Sequence, residues 1–154
     1  MSKIADRLAQ LGLTLPDPTA PIANYVPFTV IGKTVYVSGQ VPRVNGALWP
    51  IGQLGGGVSL EDGKEAAKLC MLAIIAHAKT AAGGDLDKIA RVLRVTGYVN
   101  SAPGFGDQPA VINGASDCAV DVFGEAGRHA RSAVGVAALP GNVAVEVEAI
   151  LELA

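Results

Sequence analysis

The sequence predicts a single α+β domain, a mixed β-sheet with two helices packed on one face. Three observations carry this expectation. Residues 143–153 alternate strictly, with Val143, Val145, Val147, Ala149, Leu151 and Leu153 on one side and Ala144, Glu146, Glu148, Ile150 and Glu152 on the other. That is the period of a strand with one buried face. Two long stretches, Ser59 to Gly83-Gly84 and about Asp107 to Phe123, instead repeat apolar residues at helical spacing. The elements run hairpin, helix, strand, helix, strand, strand, which suits helices gathered on one side of a sheet. At 154 residues, half of them apolar and 17% charged, the chain has the size and composition of one globular core spanning 1–154.

Residues 2–11 place Ile4, Leu8 and Leu11 on one helical face, and Gly12 follows as a stop. The segment 14–27 holds Pro16, Pro18, Pro21 and Pro27 and reads as an extended connection. Residues 1–20 thus form an arm whose apolar stripe is too small to found a core. Gly32-Lys33 between two β-branched runs predicts a two-residue hairpin turn with strands near 28–31 and 34–38. Asn45-Gly46 predicts a second, short hairpin within 41–48. Residues 51–57 (IGQLGGG) read as a flexible loop without a phosphate-binding pattern.

Ser59 is a good N-cap, Glu61 and Asp62 fill the first turn, and Ala67, Met71, Ile74, Ala78 and Ala81 mark the packed face. Residues 89–99 alternate as a strand, with Val95, Gly97 and Val99 on one side and Arg94, Thr96 and Tyr98 on the other. The second helix carries Val111, Ala115, Cys118 and Val122 on its buried stripe, and Gly124 ends it. Residues 132–137 form a strand and 139–142 (LPGN) a turn, which would let that strand pair with the one after it.

Several function classes are disfavoured. A net charge of −2 gives no electrostatic reason to bind nucleic acid, and aromatics for base stacking are few. Cys70 and Cys118 match no metal-ligand spacing and sit in apolar helical stretches, as reduced cytoplasmic thiols would. No cluster of His, Cys or carboxylates has metal-binding spacing. The charged N-terminus lacks a signal peptide's apolar core, and no apolar run is long enough for a bilayer. Ser38 has no base near it in sequence.

Residues able to do chemistry are few. Arg131 opens the strand 132–137, and Glu146 and Glu148 lie on the polar side of the next. An Arg presents a planar fork that holds a carboxylate by two hydrogen bonds. A nearby Glu could position water or pass a proton. The same pattern also describes ordinary solvated charges on a strand. His129, two residues before Arg131, would point the same way on an extended backbone; His77 lies within the first long helix.

The stretch RSAVGVAALPGNVAVEVEAI (131–150) resembles the C-terminal signature of the Rid (reactive intermediate deaminase, YjgF-like) family, in which an Arg opens a strand, Leu-Pro makes a turn and a V/I-E-V/I-E strand follows. VYVSGQVP (35–42) resembles that family's early strand, and TGYVNS (96–101) and VIN (111–113) fall where it has equivalents. The resemblance covers about residues 24–153. It implies a chorismate-mutase-like α+β fold, assembly as a homotrimer with clefts between subunits, and no cofactor. It implies that Arg131 binds the carboxylate of a 2-imino acid or its enamine and that Glu146 positions water or moves a proton. Gly39 would lie beside the substrate, Tyr25 would close the cleft, and Asn113 and Ala133 would border it. The product would be a 2-oxo acid with ammonia. A trimer that only binds 2-oxo acids needs the same Arg131, and ribonuclease is the weakest alternative. The sequence departs from the family pattern in its N-terminal arm, in the NYVPF setting of Tyr25, in Ala133 where Cys is common, and in His129 where Pro is usual.

Overall fold

A computed structural model describes residues 2–18 and 23–154; Pro21, counted above in the extended connection, lies outside them. The 143–153 alternation becomes the middle strand of a five-stranded sheet. In chain order the strands are β1 (Phe28–Ile31), β2 (Thr34–Gln40), β5 (Ile89–Asn100), β6 (Ala130–Val136) and β7 (Val145–Leu153), arranged β1-β2-β7-β5-β6. The short β3 (Arg43–Val44) and β4 (Ala47–Leu48) form a separate hairpin. Three helices complete the chain: α1 (Lys3–Gln10), α2 (Leu60–Ala81) and α3 (Gln108–Phe123). α2 and α3 pack on one face of the sheet, α2 over β2 and β7, whose Val145, Val147, Ala149 and Leu151 are buried, and α3 over β5 and β6.

The local signals act as expected. Ile31 pairs with Thr34 across the Gly32-Lys33 turn, with Gly32 at φ +59°. Asn45 and Gly46 both take positive φ, the requirement of the tight turn that joins β3 to β4. Ser59 caps α2, its hydroxyl accepting from the Asp62 amide at 3.1 Å. α2 and α3 cross so closely at Gly114 that a Cβ there would collide with the Lys64 carbonyl.

Three expectations need correction. The strand containing Arg131 does not pair with the strand after it. β6 runs parallel to β5, with Arg131 opposite Val95, and β7 inserts between β2 and β5. α3 is the crossover that a parallel β5–β6 pair demands, and it is long enough to carry the chain back, so the LPGN turn leads away from β6. The alternation in β5 is also interrupted. Its register against β7 shifts twice between Ile89 and Arg94, which turns Val92 into the core. Finally, the 51–57 segment is held rather than loose. Leu54 is fully buried, and its amide donates to the Asn100 carbonyl at 2.9 Å. Truncating such a leucine to Ala costs about 2–5 kcal/mol.

The arm reaches back across the molecule. The carboxylate of Asp87 accepts from the Ser2 hydroxyl and from the Lys3 and Ile4 amides at 2.7–3.0 Å, capping α1. These donors hold the Asp87 carboxyl below its ordinary range. Leu8 is buried and Ile4, Leu11, Leu13 and Leu15 pack on the core. Both cysteines are buried and unpaired. Among the described residues no helix is long and apolar enough to cross a membrane, and no group of three His, Cys, Asp or Glu could hold a metal ion.

Candidate functional site

The seven residues singled out in the sequence fall into two groups. The first surrounds Arg131. Arg131, Ala133 and Gly135 stand opposite Val95, Gly97 and Val99 in the parallel register, so they point to the helix-covered side of the sheet. β6 is an edge strand, and the Arg131 side chain extends to the first turns of α3. Its Nη1 donates to Asn113 Oδ1 at 2.9 Å and to Ser116 Oγ at 3.1 Å. Its Nη2 reaches the Pro109 carbonyl only at 3.4 Å. Both hydrogens on Nη1 are thereby engaged, and the Nε–Nη2 edge is the part of the fork left for a carboxylate.

His129 belongs to this group through Ser116. Its Nδ1 lies 2.6 Å from the Gly127 carbonyl, which can only accept, so Nδ1 carries the proton. Nε2 then offers a lone pair, and the Ser116 hydroxyl donates to it at 3.0 Å. The hydrogen bonds run in one direction, from Arg131 to Ser116 to His129 to the backbone. His129 thus touches the guanidinium's support rather than the space beyond it. Ser116 went unnoticed in the sequence, although it lies three residues after Asn113 and therefore on the same helical face. Ala133 sits two residues along β6, partly buried against the core.

The second group surrounds Glu146, on the opposite, open side of the sheet. Glu146 pairs with Tyr98 of β5, and Glu148 accepts from the Tyr98 hydroxyl at 3.1 Å. Gly39, in the irregular stretch of β2 beside β7, leaves the place of its missing Cβ to the Glu146 carboxylate. Any side chain at 39 would push that carboxylate away. Burial, and secondarily the Glu148 carboxylate, hold the Glu146 carboxyl above its ordinary range. Tyr25, largely exposed, lines a cavity together with Gly39.

Arg131 and Glu146 therefore do not meet within one chain. They project from opposite faces, with β5 between their strands. The Arg131 group is Arg131, Asn113, Ser116, His129 and Ala133; the Glu146 group is Glu146, Gly39 and Tyr25.

Residues 5–153 match the family described as "YjgF/chorismate mutase-like, putative endoribonuclease". The chain belongs to this family. Protein TCP17 of Trypanosoma cruzi is 45% identical over 152 residues, covering 98% of this chain and 94% of its own. The crystal structure of Atu1372 from Agrobacterium tumefaciens superposes with a TM-score of 0.92 at 48% identity, covering 98% of this chain and 92% of that one. The structure of E. coli TdcF with bound serine is similar over 90% of this chain and 94% of its own, at 26% identity and a TM-score of 0.63. The architecture is accordingly the α+β, chorismate-mutase-like one that the Rid resemblance implied.

Proposed function

We propose that this protein is a hydrolytic deaminase of 2-imino acids and their enamine tautomers, working as a trimer at a cleft between copies. The observation that carries the reading is the Arg131 guanidinium, held by Asn113 and Ser116 with its Nε–Nη2 edge left over. A fixed, half-free guanidinium is suited to a planar carboxylate. The serine bound to TdcF, itself an amino acid with a carboxylate, supports a ligand of that class for a related fold. Because Arg131 and Glu146 face opposite sides of the sheet, a site using both takes them from two copies of the chain. Closed cyclic symmetry then supplies equivalent sites at every interface.

In this reading Arg131 of one copy holds the substrate carboxylate and so fixes the imine carbon beside Glu146 of the next. Water adds to the protonated C=N bond: a C–O bond forms, the C–N π pair moves to nitrogen, and Glu146 takes the proton lost by water. Glu146 then delivers a proton to the amine. The C–N bond breaks, ammonia leaves, and the hydroxyl proton passes back to the Glu146 carboxylate as the C=O of the 2-oxo acid forms. A carboxyl held above its ordinary range by burial takes up and gives back a proton more readily than an ordinary surface glutamate, which suits these transfers. The rest is positioning, which the paired Arg131 supplies.

The test is ammonia release from imines made in situ by an amino-acid oxidase, with and without the protein. Acceleration that disappears in Arg131→Lys supports the reading. Binding of 2-oxo acids with no acceleration would replace the deaminase by a trimer that only binds such acids.

A further inference from the structure

A cavity of about 490 Å³ lies between the end of β2, one side of α2 and arm residues 14–18. That is the size of a small-molecule pocket, roughly 300–1,000 Å³. We propose that this cavity is the side-chain pocket of the substrate site, selecting 2-imino acids with a large apolar side chain over those with a methyl group. The inference rests on the deaminase reading and names its substrate class.

Its walls decide the chemistry. Leu69, Leu72, Ala73 and Ala76 of α2 form one side, and Leu15 and Pro16 of the arm another. His77 also borders the cavity, but it is only 2% exposed and stacks obliquely near Phe28, ring centres 6.5 Å apart. Its Nδ1 has no partner among the described residues, and burial lowers its pKa, so the imidazole stays neutral. The charged lining residues, Asp17 and Arg43, are both exposed. Arg43 is also engaged with the Gly46 carbonyl at 2.8 Å. An interior of this kind favours hydrocarbon.

Its position decides the occupant. Gly39 borders the cavity and also lies against the Glu146 carboxylate, while Tyr25 lines the same space. Gly39, at the irregular end of β2, links the open side, where Glu146 stands, to the cavity against α2. In the proposed pose the reacting carbon sits beside Glu146 and the side chain passes Gly39 into the cavity. Small residues at 73 and 76 keep open a volume that larger ones would fill. The arm supplies a wall, so residues far from Arg131 and Glu146 in sequence set selectivity.

The experiment compares imines made from phenylalanine, leucine and alanine, using the intact protein and Ala73→Phe, a filling substitution at a partly exposed helical position. In the wild type, kcat/KM for the phenylalanine and leucine imines exceeds that for the alanine imine by about tenfold or more. Ala73→Phe shrinks that ratio about tenfold; the milder Ala73→Leu, which preserves the helix, shrinks it less. No preference in the wild type, or an unchanged ratio in both variants, overturns the proposal. If no imine is turned over, the deaminase reading fails separately, and calorimetry with phenylpyruvate and pyruvate still decides the cavity. Tighter binding of phenylpyruvate that weakens in Ala73→Phe supports it, while equal affinity, or no binding of either, overturns it. A change of oligomeric state in Ala73→Phe would assign the cavity to a second copy of the chain and overturn it too.

Discussion

Around Arg131 nearly every polar group has a partner: Asn113 and Ser116 take the guanidinium, His129 takes Ser116, and the backbone takes His129. Around Glu146 the reverse holds. Its carboxylate occupies the gap left by Gly39, takes no hydrogen bond among the described residues, and has a like charge at Glu148 nearby. The difference fits the two kinds of work that the proposed deaminase would ask of them. Holding an anion requires donors fixed before the ligand arrives, since ordering them at binding would weaken it. Moving a proton requires a carboxyl that can gain and lose it near working pH, and firm donors would lock it as carboxylate.

If this contrast is right, removing the proton carrier has the largest effect. Glu146→Gln should lower kcat by about 100-fold or more, with KM changed little, in the oxidase-coupled assay. Mixed assemblies test whether the two halves come from different chains. When Glu146→Gln and Arg131→Lys chains are co-assembled, about a quarter of the sites would receive both wild-type halves. Activity recovered to that level, when neither variant alone shows it, is the expected result; no recovery would put both halves in one chain. Arg131→Lys should weaken 2-oxo acid binding about ten- to a hundredfold by calorimetry, because the lysine cannot offer two parallel donors. Its melting temperature should stay close to wild type.

Smaller effects lie in the support. Ser116→Ala or His129→Ala should raise KM roughly two- to tenfold, the loss of one net hydrogen bond, with kcat nearly unchanged. His129→Asn, which keeps a polar group, should recover part of it. Smallest is a stability effect with a definite sign. The folded state holds the Glu146 proton more tightly than the unfolded chain does, so wild type loses stability as pH rises from the ordinary glutamate range through the higher folded value. Glu146→Gln has no such proton to lose. Its melting temperature should exceed that of wild type above that window and match it well below.

Much of this architecture was legible because the signals were local. Ser59 caps a helix, Gly32-Lys33 turns a hairpin, and 143–153 alternates, all from neighbours in sequence. Strand order was not legible. Period-two alternation says that a strand has a buried face but not which strand lies beside it, so the LPGN turn suggested a hairpin where β6 instead joins β5 in parallel. The interruption in β5 escaped for a similar reason, since it is visible only against the register of β7. In the site, Arg131 and Glu146 could be named from residue type and motif. Their separation onto opposite faces depended on pairing, and the part played by Ser116 depended on a side-chain direction.

The crossing at Gly114 has a consequence for Arg131. Gly114 lies next to Asn113 and two residues before Ser116, and at that point α3 touches the backbone of α2 at Lys64. The spacing between the two helix axes is therefore the gauge that sets where the guanidinium's two holders stand. A single methyl at 114 would lever α3 outward and carry both holders with it. Arg131 would then be detuned from a distance, with every residue it touches still in the sequence.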